Sequence, residues 1–514
     1  MLLKLDADGA LYDQIYRALR GNILNGRLSA GSRVPATRDL ALELGVSRNV
    51  AIMAYRQLLD EGYLTTRMGA GTYVARELPR HLKTIAGRRR PQPARTPATI
   101  RLSAYARRVR EASQGVQFSW EPRRDVLPYD FRYGPPSFTD FPHETWCRVM
   151  ARRARRVTLR DLDYGPPEGL PALREAIADY AGRARAIACT PEQILVVNGS
   201  QQALDLAARV LVDPGDIVLM EEPHYRGART VMRAAGAKIE TIAVDEHGLR
   251  TEELARRSTQ SRLAIVTPSH QFPTGAVMPL GRRLELLSWA RRSGACIFED
   301  DYDSEFRYSG RPIEALAALD DSGCVLYAAT FSKVMFPSLR LGYMIVPVAL
   351  IEPIRSARAL MDTGGPSLAQ AALVDFIREG HFEKHLHRTR TRNARRRAAM
   401  LEAIERHLGA RAEVSGINAG LHLMLWLRDL PASRSRELQM RGARAGVGVY
   451  SAAPFYLDPP KQAALLLGYA SMPEKQIAEG IRRLASVVNS LSDNRCRAAR
   501  SSLRCSRVLA DTRP

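Results

Sequence analysis

One lysine is the residue whose type and setting most plainly suggest covalent chemistry. Of the 76 Lys and Arg residues only seven are lysines, so arginine serves wherever a bare positive charge suffices. A lysine in such a chain points to a need for a primary amine, which can lose its proton and form a Schiff base as guanidinium cannot. Lys333 follows the apolar run Cys324 to Ala328, within Tyr327-Ala-Ala-Thr-Phe-Ser-Lys-Val-Met-Phe-Pro-Ser-Leu-Arg-Leu-Gly342. Thr330 and Ser332 offer hydroxyls there and Arg340 a forked cation, enough to hold a phosphate beside the amine. From this segment alone, an ordinary surface lysine after a strand accounts for the pattern equally well.

Two upstream segments shift that balance. Ala295-Cys-Ile-Phe-Glu-Asp-Asp-Tyr-Asp-Ser-Glu-Phe306 reads as a buried strand ending in carboxylates. Asp300 falls at its C-terminal end, where open α/β sheets place ligand chemistry. A carboxylate there can pair with a protonated pyridine nitrogen, and Tyr302 can reach the ring's phenolic oxygen. Asn198-Gly-Ser-Gln-Gln202 follows the strand Ile194 to Val197 and opens a helix over Gln201 to Leu211. Backbone N–H groups of Gly199, Ser200 and Gln201 would then face a phosphate at a helix N-terminus. An amine, a pyridine-facing aspartate and two phosphate anchors describe a site for pyridoxal 5′-phosphate (PLP).

The segments Gly199-Ser-Gln-Gln-Ala-Leu-Asp-Leu206, Thr267-Pro-Ser-His-Gln-Phe-Pro-Thr-Gly275, Glu299-Asp-Asp-Tyr-Asp-Ser-Glu-Phe-Arg-Tyr308 and Thr330-Phe-Ser-Lys333 resemble the aminotransferase-like half of MocR-type regulators. These form the branch of the GntR transcription regulators that fuses a winged helix to a fold-type I PLP domain. The resemblance runs from about Met1 to about Val488. It implies an internal aldimine on Lys333, and Tyr225 as the aromatic that stacks on the cofactor ring. Taken alone, Tyr225 would more often be an ordinary packed tyrosine.

These residues need elements to position them. In 514 residues, 45% of them apolar, there is room for two or more domains. Strands at Ile217 to Met220, Lys238 to Val244, Leu263 to Thr267, Ala295 to Glu299 and Cys324 to Ala328 alternate with helical stretches such as Gly281 to Arg292. That is the βαβ texture of a mostly parallel sheet covered on both faces. The expected fold class is α/β, a PLP-dependent transferase domain over 126–490 with a small C-terminal subdomain from about residue 351. The basic run Arg388 to Arg397 reads as the solvated face of a helix, and 491–514 as a disordered tail.

The N-terminal 1–78 form a separate module. Leu11, Ile15, Ala18 and Leu19 repeat with helical spacing; Ala36 to Leu44 is a second helix ending at Gly45, and Ser47 caps a third over Arg48 to Glu61. Helix, turn and capped helix make a helix-turn-helix, and Gly62 to Val74 alternates like the hairpin of a wing, turning at Met68 to Gly71. Arg38, Arg48 and Arg67 are suited to phosphates or guanine edges of double-stranded DNA, Ser47 and Asn49 to shorter contacts, and Gly69 to a close approach at the wing tip. A three-helix bundle with a solvated basic face is the alternative. Arg33-Val-Pro-Ala-Thr-Arg-Asp-Leu-Ala41 and Leu44-Gly-Val-Ser-Arg48 resemble the GntR winged helix. Between the domains, 79–125 reads as a linker: 80–110 hold ten Lys or Arg, no acid, and Pro91, Pro93 and Pro97.

Net charge is +22 with a pI near 10.1, which favours a polyanionic partner or serves solubility. The cysteines 147, 189, 296, 324, 496 and 505 lack metal spacing and fit scattered core thiols in a reducing compartment. No signal-like segment opens the chain, so a soluble cytoplasmic protein is expected. Fold-type I sites are usually built between subunits and one winged helix has a small footprint, so a homodimer on repeated half-sites is expected.

Two functions compete. One is a transcription regulator that senses PLP, or an amine- or amino-acid-like effector, through Lys333; the other is a working aminotransferase with an accessory DNA-binding head. Amino-acid aminotransferases normally grip the substrate carboxylate with an arginine two residues before a late-strand glycine. Here that strand reads Ala464-Leu-Leu-Leu-Gly-Tyr469, so Leu466 stands in that place and offers no charge. Phe272-Pro-Thr-Gly275 likewise replaces the usual Asn-Pro-Thr-Gly. Both departures favour the regulator and leave room for an effector without an α-carboxylate.

Overall fold

The computed structural model describes residues 3, 5–6, 8–67, 69–76, 100–114, 127–257, 260–308 and 314–491. The chain divides into two units, Met1–Arg101 and Leu102–Pro514.

In the first unit, helices α1 (Leu11–Leu24), α2 (Thr37–Leu44) and α3 (Arg48–Asp60) precede strands β1 (Leu64–Arg67) and β2 (Gly71–Val74). Ile15, Leu19 and Ile23 fall four residues apart, so one face of α1 meets Leu40 of α2 and Ala51, Ala54 and Leu58 of α3 in a single core. Gly45 ends α2 in the left-handed region at φ +65°, a conformation a Cβ disfavours. The hairpin pairs Leu64 with Val74 and Arg67 with Gly71. Ser47 occupies the N-cap position of α3, but its hydroxyl makes no capping bond, contrary to expectation. The first turn of α3 is exposed, and water can satisfy its free N–H groups.

The second unit opens with α4 (Ala104–Ala112), a helix inside the span read as linker. Arg108 Nε donates to Ala234 O at 3.0 Å, and this docking lets a short basic segment fold where its own composition could not. The remainder of that expected linker falls mostly on 79–99 and 115–125, outside the described residues, as do Met68 of the wing turn and the expected tail from 492.

Eight strands form the main sheet: β3 (Ile194–Val197), β4 (Ile217–Glu222), β5 (Lys238–Asp245), β6 (Gly248–Leu249), β7 (Ser261–Val266), β8 (Cys296–Asp301), β9 (Val325–Thr330) and β10 (Gly342–Ile345). Their order is β3-β10-β9-β8-β7-β4-β5-β6. The run β9-β8-β7-β4-β5 is parallel. Side chains alternate between two apolar layers. Val218, Met220 and Phe298 meet Leu204 and Met232 of helices α5 (Ser200–Leu211) and α6 (Arg226–Ala235). Leu219 and Ile297 meet Leu286 and Trp289 of α7 (Leu280–Ser293) on the other face.

Strand β10 was not legible beforehand, and it decides where the site forms. It runs antiparallel between β9 and β3, pairing Gly342 with Thr330 on one side and Val197 on the other. This register sets the turn carrying Lys333 beside the turn carrying Gly199.

Helices α8 (Ile351–Asp362) and α9 (Ser367–Arg378) belong to the main sheet's core rather than to a small subdomain starting at 351. Ile354 packs with Leu204 and Met344, and Leu373 and Phe376 with Tyr327 and Tyr343. The second sheet comprises β11 (Ala412–Ser415), β12 (His422–Pro431), β13 (Tyr450–Ser451) and β14 (Gln462–Gly468), in the order β11-β12-β14-β13. Phe131, far upstream, completes that sheet's core with Leu423, Leu465 and Ile481.

The basic run of α10 (His381–Leu408) is not wholly solvated. Arg396 is buried, with Nη2 2.8 Å from Asp140 Oδ2 and Nη1 donating to Ala470 O at 2.6 Å. Cys147 is exposed, while Cys189, Cys296 and Cys324 are half-buried. Among the described residues no helix is long and apolar enough to cross a membrane.

Candidate functional site

The residues expected to meet DNA all lie at the surface of the first unit. Arg38 on α2, Ser47, Arg48 and Asn49 at the start of α3, and Arg67 and Gly69 on the hairpin are each exposed. The Arg67 guanidinium rests 4.6 Å from the Tyr73 ring centroid, which limits its freedom without masking its charge. The same face of α3 exposes Ile52 (39%), Met53 (50%) and Arg56, residues that sequence reasoning did not single out.

In the second unit the fold gathers distant segments around one cavity of about 270 Å³. Gly199, Ser200, Gln201, Tyr225, Asp300, Tyr302, Thr330, Ser332, Lys333 and Arg340, every residue expected to form a cofactor site, line it. Gly199 needs its φ of +93° to turn the chain from β3 into α5, and a Cβ there would approach Arg340 Nη2 and Thr330 Oγ1 at 3.7 Å. Arg340, itself left-handed at φ +51°, donates to Asn198 O, tying the two turns together. The Ser332 backbone N–H donates to Thr330 Oγ1 at 3.2 Å. Tyr225 O–H donates to Gln201 Oε1 at 3.3 Å.

The floor is electrostatically unusual. Asp300 is buried at 7% exposure and accepts the Ser200 hydroxyl at 2.9 Å. Burial pushes its carboxyl up to about 7, against the pull of that bond. Burial also draws the Lys333 ammonium below its ordinary value, opposed by the carboxylates Asp303 and Asp300 and assisted by Arg132. An amine and a carboxyl, each drawn by burial toward its neutral form, thus share one cavity.

Several lining residues were missed: Tyr133, Gly134, Thr267, Asp303 and His422. Gly134 has a reason visible only in three dimensions, since a Cβ there would stand 3.0 Å from Lys333 Nζ. Gly227 serves the same end outside the lining, because a Cβ would collide with the Tyr225 ring. The motif Thr267 to Gly275 and the carboxylate cluster held a signal for Thr267 and Asp303. His422 sits in mid-strand and held none. Phe272 forms an aromatic wall, edge-on to Tyr302 at 5.7 Å and Tyr225 at 6.0 Å. Leu466 is fully buried with Phe272, Met424 and Phe455 and does not line the cavity.

Residues 140–484 match the family of class I and II aminotransferases, and residues 11–74 match bacterial regulatory proteins of the gntR family. The chain is 40% identical to the "Probable rhizopine catabolism regulatory protein MocR" of Rhizobium meliloti, over 96% of its own length and 97% of that protein's. It belongs to the MocR-type GntR regulators. Another relative is the HTH-type transcriptional regulator TauR of Rhodobacter capsulatus, 32% identical over 93% of this chain and 96% of that one. Among solved structures, the α-aminoadipate aminotransferase LysN of Thermus thermophilus is similar with a TM-score of 0.67 and 28% identity, covering 76% of this chain and 97% of LysN.

The cofactor of this MocR-type chain is PLP, and the cavity fits it. A primary amine, a buried carboxyl, and hydroxyls beside a guanidinium at the N-terminus of α5 supply what an aldehyde, a pyridine nitrogen and a phosphate require.

Proposed function

We propose that this regulator uses the Lys333 cavity as a sensor of PLP itself, or of an amine- or amino-acid-like effector that meets PLP there. When bound, PLP supplies an aldehyde for the amine and an electron-withdrawing ring. Lys333 Nζ would hold the aldehyde, and burial draws its ammonium below the ordinary value, which favours the neutral amine. Asp300 would retain a proton at the ring nitrogen. Ser200, Thr330, Ser332, Arg340 and the N–H groups around Gly199 would hold the phosphate, and Tyr225 would cover the ring. In the first unit, Arg38, Arg48 and Arg67 meet phosphates or guanine edges, Ser47 and Asn49 make shorter contacts, and Gly69 allows the hairpin tip to approach.

The observation that carries this reading is the convergence of Lys333, Asp300 and Arg340 on one cavity while Leu466 stays fully buried among apolar side chains. The amine and its carboxyl are intact, but no arginine occupies the place from which an amino acid's carboxylate is ordinarily held. The intact pair keeps transamination as the second reading.

A homodimer on repeated half-sites belongs to the same proposal. Leu159 (88%), Leu162 (72%), Tyr164 (87%) and Leu360 (90%) stand exposed on the second unit, and apolar side chains so exposed call for cover. A Cβ at Gly364 would meet Pro166 O at 3.4 Å, so the segments after Tyr164 and Leu360 run close together. Light scattering at micromolar concentration should report a dimer.

The deciding experiment compares DNA affinity of wild type and Lys333→Ala, with and without PLP, beside a transaminase assay over a panel of amino acids. Binding that responds to PLP in wild type alone supports the sensor. Rapid turnover of a common amino acid, with DNA binding indifferent to PLP, would make the enzyme the better reading.

A further inference from the structure

Beside Tyr302 lies a buried pair, His270 and Asp303, to which the cofactor reading assigns no role. His270 and Asp303 are 2% and 1% exposed. One ring nitrogen of His270, Nδ1, lies 3.1 Å from each Asp303 carboxylate oxygen and 2.9 Å from the Tyr302 hydroxyl. A single nitrogen cannot serve both partners in the same way, because it carries either a proton or a lone pair.

We propose that Asp303 and His270 form a positioning pair for Tyr302: the carboxylate fixes the imidazole proton on Nδ1, so Tyr302 keeps its own proton to donate into the cavity, toward the phenolic oxygen of PLP. The inference rests on the cofactor reading above and adds two residues to it.

The proton's place follows from the neighbours. With a lone pair on Nδ1, two electron-rich groups would face each other at 3.1 Å in a dry interior, an arrangement that low dielectric strongly disfavours. With a proton on Nδ1, Asp303 accepts it and the Tyr302 oxygen can share it. Tyr302 then cannot donate to His270, and it lines the cavity. The other ring nitrogen, Nε2, is buried without a hydrogen-bond partner among the described residues. A bare acceptor in that position is the lesser penalty than an unpaired N–H, which again places the proton on Nδ1.

The ring has no room to turn over. A Cβ at Gly420 would stand 2.0 Å from His270 Cε1, and one at Gly275 would stand 2.9 Å from Nε2. Both glycines are left-handed, at φ +81° and +73°, so backbone packs directly on the imidazole. The charged groups facing Tyr302 are Asp303 beside it, Asp300 and Asp301 at the end of β8, and Glu221 from β4. Burial first, then these carboxylates, hold the phenol well above its ordinary value, so it remains a donor. His422 packs with its ring centroid 5.2 Å from that of His270. Burial, then His270 and Lys333, hold His422 well below its ordinary value, so it brings no charge to the pair.

A hydrogen bond donated to the phenolic oxygen lowers that oxygen's basicity, and with it the pH at which the visible band of the PLP-loaded protein titrates. The test is a double-mutant cycle on that midpoint in full-length, PLP-loaded protein. Tyr302→Phe should raise the midpoint. Asp303→Leu leaves Nδ1 free to accept Tyr302's proton and should raise it too, although losing a carboxylate near Lys333 would by charge alone lower it. In the Tyr302→Phe background only the charge effect survives, so the effect of Asp303→Leu should differ between backgrounds by roughly one pH unit. Asp303→Glu should restore the wild-type midpoint. An identical effect of Asp303→Leu in both backgrounds would overturn the pairing. Should Asp303→Leu fail to fold, the near-isosteric Asp303→Asn, whose neutral amide no longer requires the proton on Nδ1, closes the same cycle with the same criterion. A wild-type protein that develops no visible band with PLP would sink the cofactor reading itself, an outcome distinct from an additive cycle.

Discussion

The two functional regions of this chain solve recognition in opposite ways. On the first unit, the residues suited to DNA come from one short stretch, Arg38 to Gly69, and all are exposed. In the second, the residues suited to PLP come from segments between Tyr133 and His422 and turn inward on one cavity. An exposed arginine keeps its charge at any ordinary pH and acts through Coulomb attraction that salt can screen. A buried carboxyl or amine has its charge set by what surrounds it, so Asp300 and Lys333 are displaced in opposite directions toward neutrality. The first arrangement suits a partner that is always anionic. The second suits a switch, because binding one cation or aldehyde changes the state of its neighbours.

The largest expected effect separates the two regions outright. Lys333→Ala should abolish the visible band and the borohydride-trapped label at residue 333, while binding of DNA by the first unit survives and its response to PLP disappears. Loss of DNA binding in that variant under all conditions would break the separation.

Next in size is Asp300→Asn. If Asp300 faces the pyridine nitrogen as proposed, removing its carboxylate should weaken PLP binding on the order of a hundredfold, as loss of one partner from a buried pair does. The same change should stabilise the protein without PLP. With Asp300 raised to about 7 from 3.8, the folded state holds its proton longer than the unfolded chain. Its contribution is therefore fully present below pH 3.8 and lost as pH rises through about 7. Thermal melts of PLP-free protein should favour Asp300→Asn more at pH 8 than at pH 5.5, and a gain independent of pH would count against the buried charge.

On the exposed side the effects are smaller and of a different kind. Arg48→Ala, at the first residue of α3, should cost about 1–3 kcal/mol at the operator if it reads a base edge, with relaxed specificity at that position. Arg38→Ala should weaken all duplexes alike and reduce the salt slope by about 0.9 if it meets a phosphate. Competition binding at two salt concentrations tells these apart. PLP should alter neither mutant's relative loss.

Local pattern made much of the molecule readable. The helices of the first unit, the run of parallel strands and the turns at Gly199 and Lys333 all follow from periodicity and from residues with one conformational use. A scarce lysine just after two hydroxyl residues remained legible because its chemistry has few substitutes. Tertiary structure alone decided the rest, since register and docking depend on partners far away in sequence. Strand β10 sets Arg340 beside Gly199 through pairing with β3, and no local pattern encodes that adjacency. Helix α4 folds because α6 and the residues around it receive it, against a composition that reads as linker. Phe131 joins a core built some three hundred residues later, and Arg396 turns inward because Asp140 and the Ala470 carbonyl receive it. His270 shows the limit most sharply. Its ring reaches Asp303 and Tyr302 only once two distant segments meet, and the place of its proton, on which the Tyr302 donor depends, is a property of that meeting rather than of any stretch of chain.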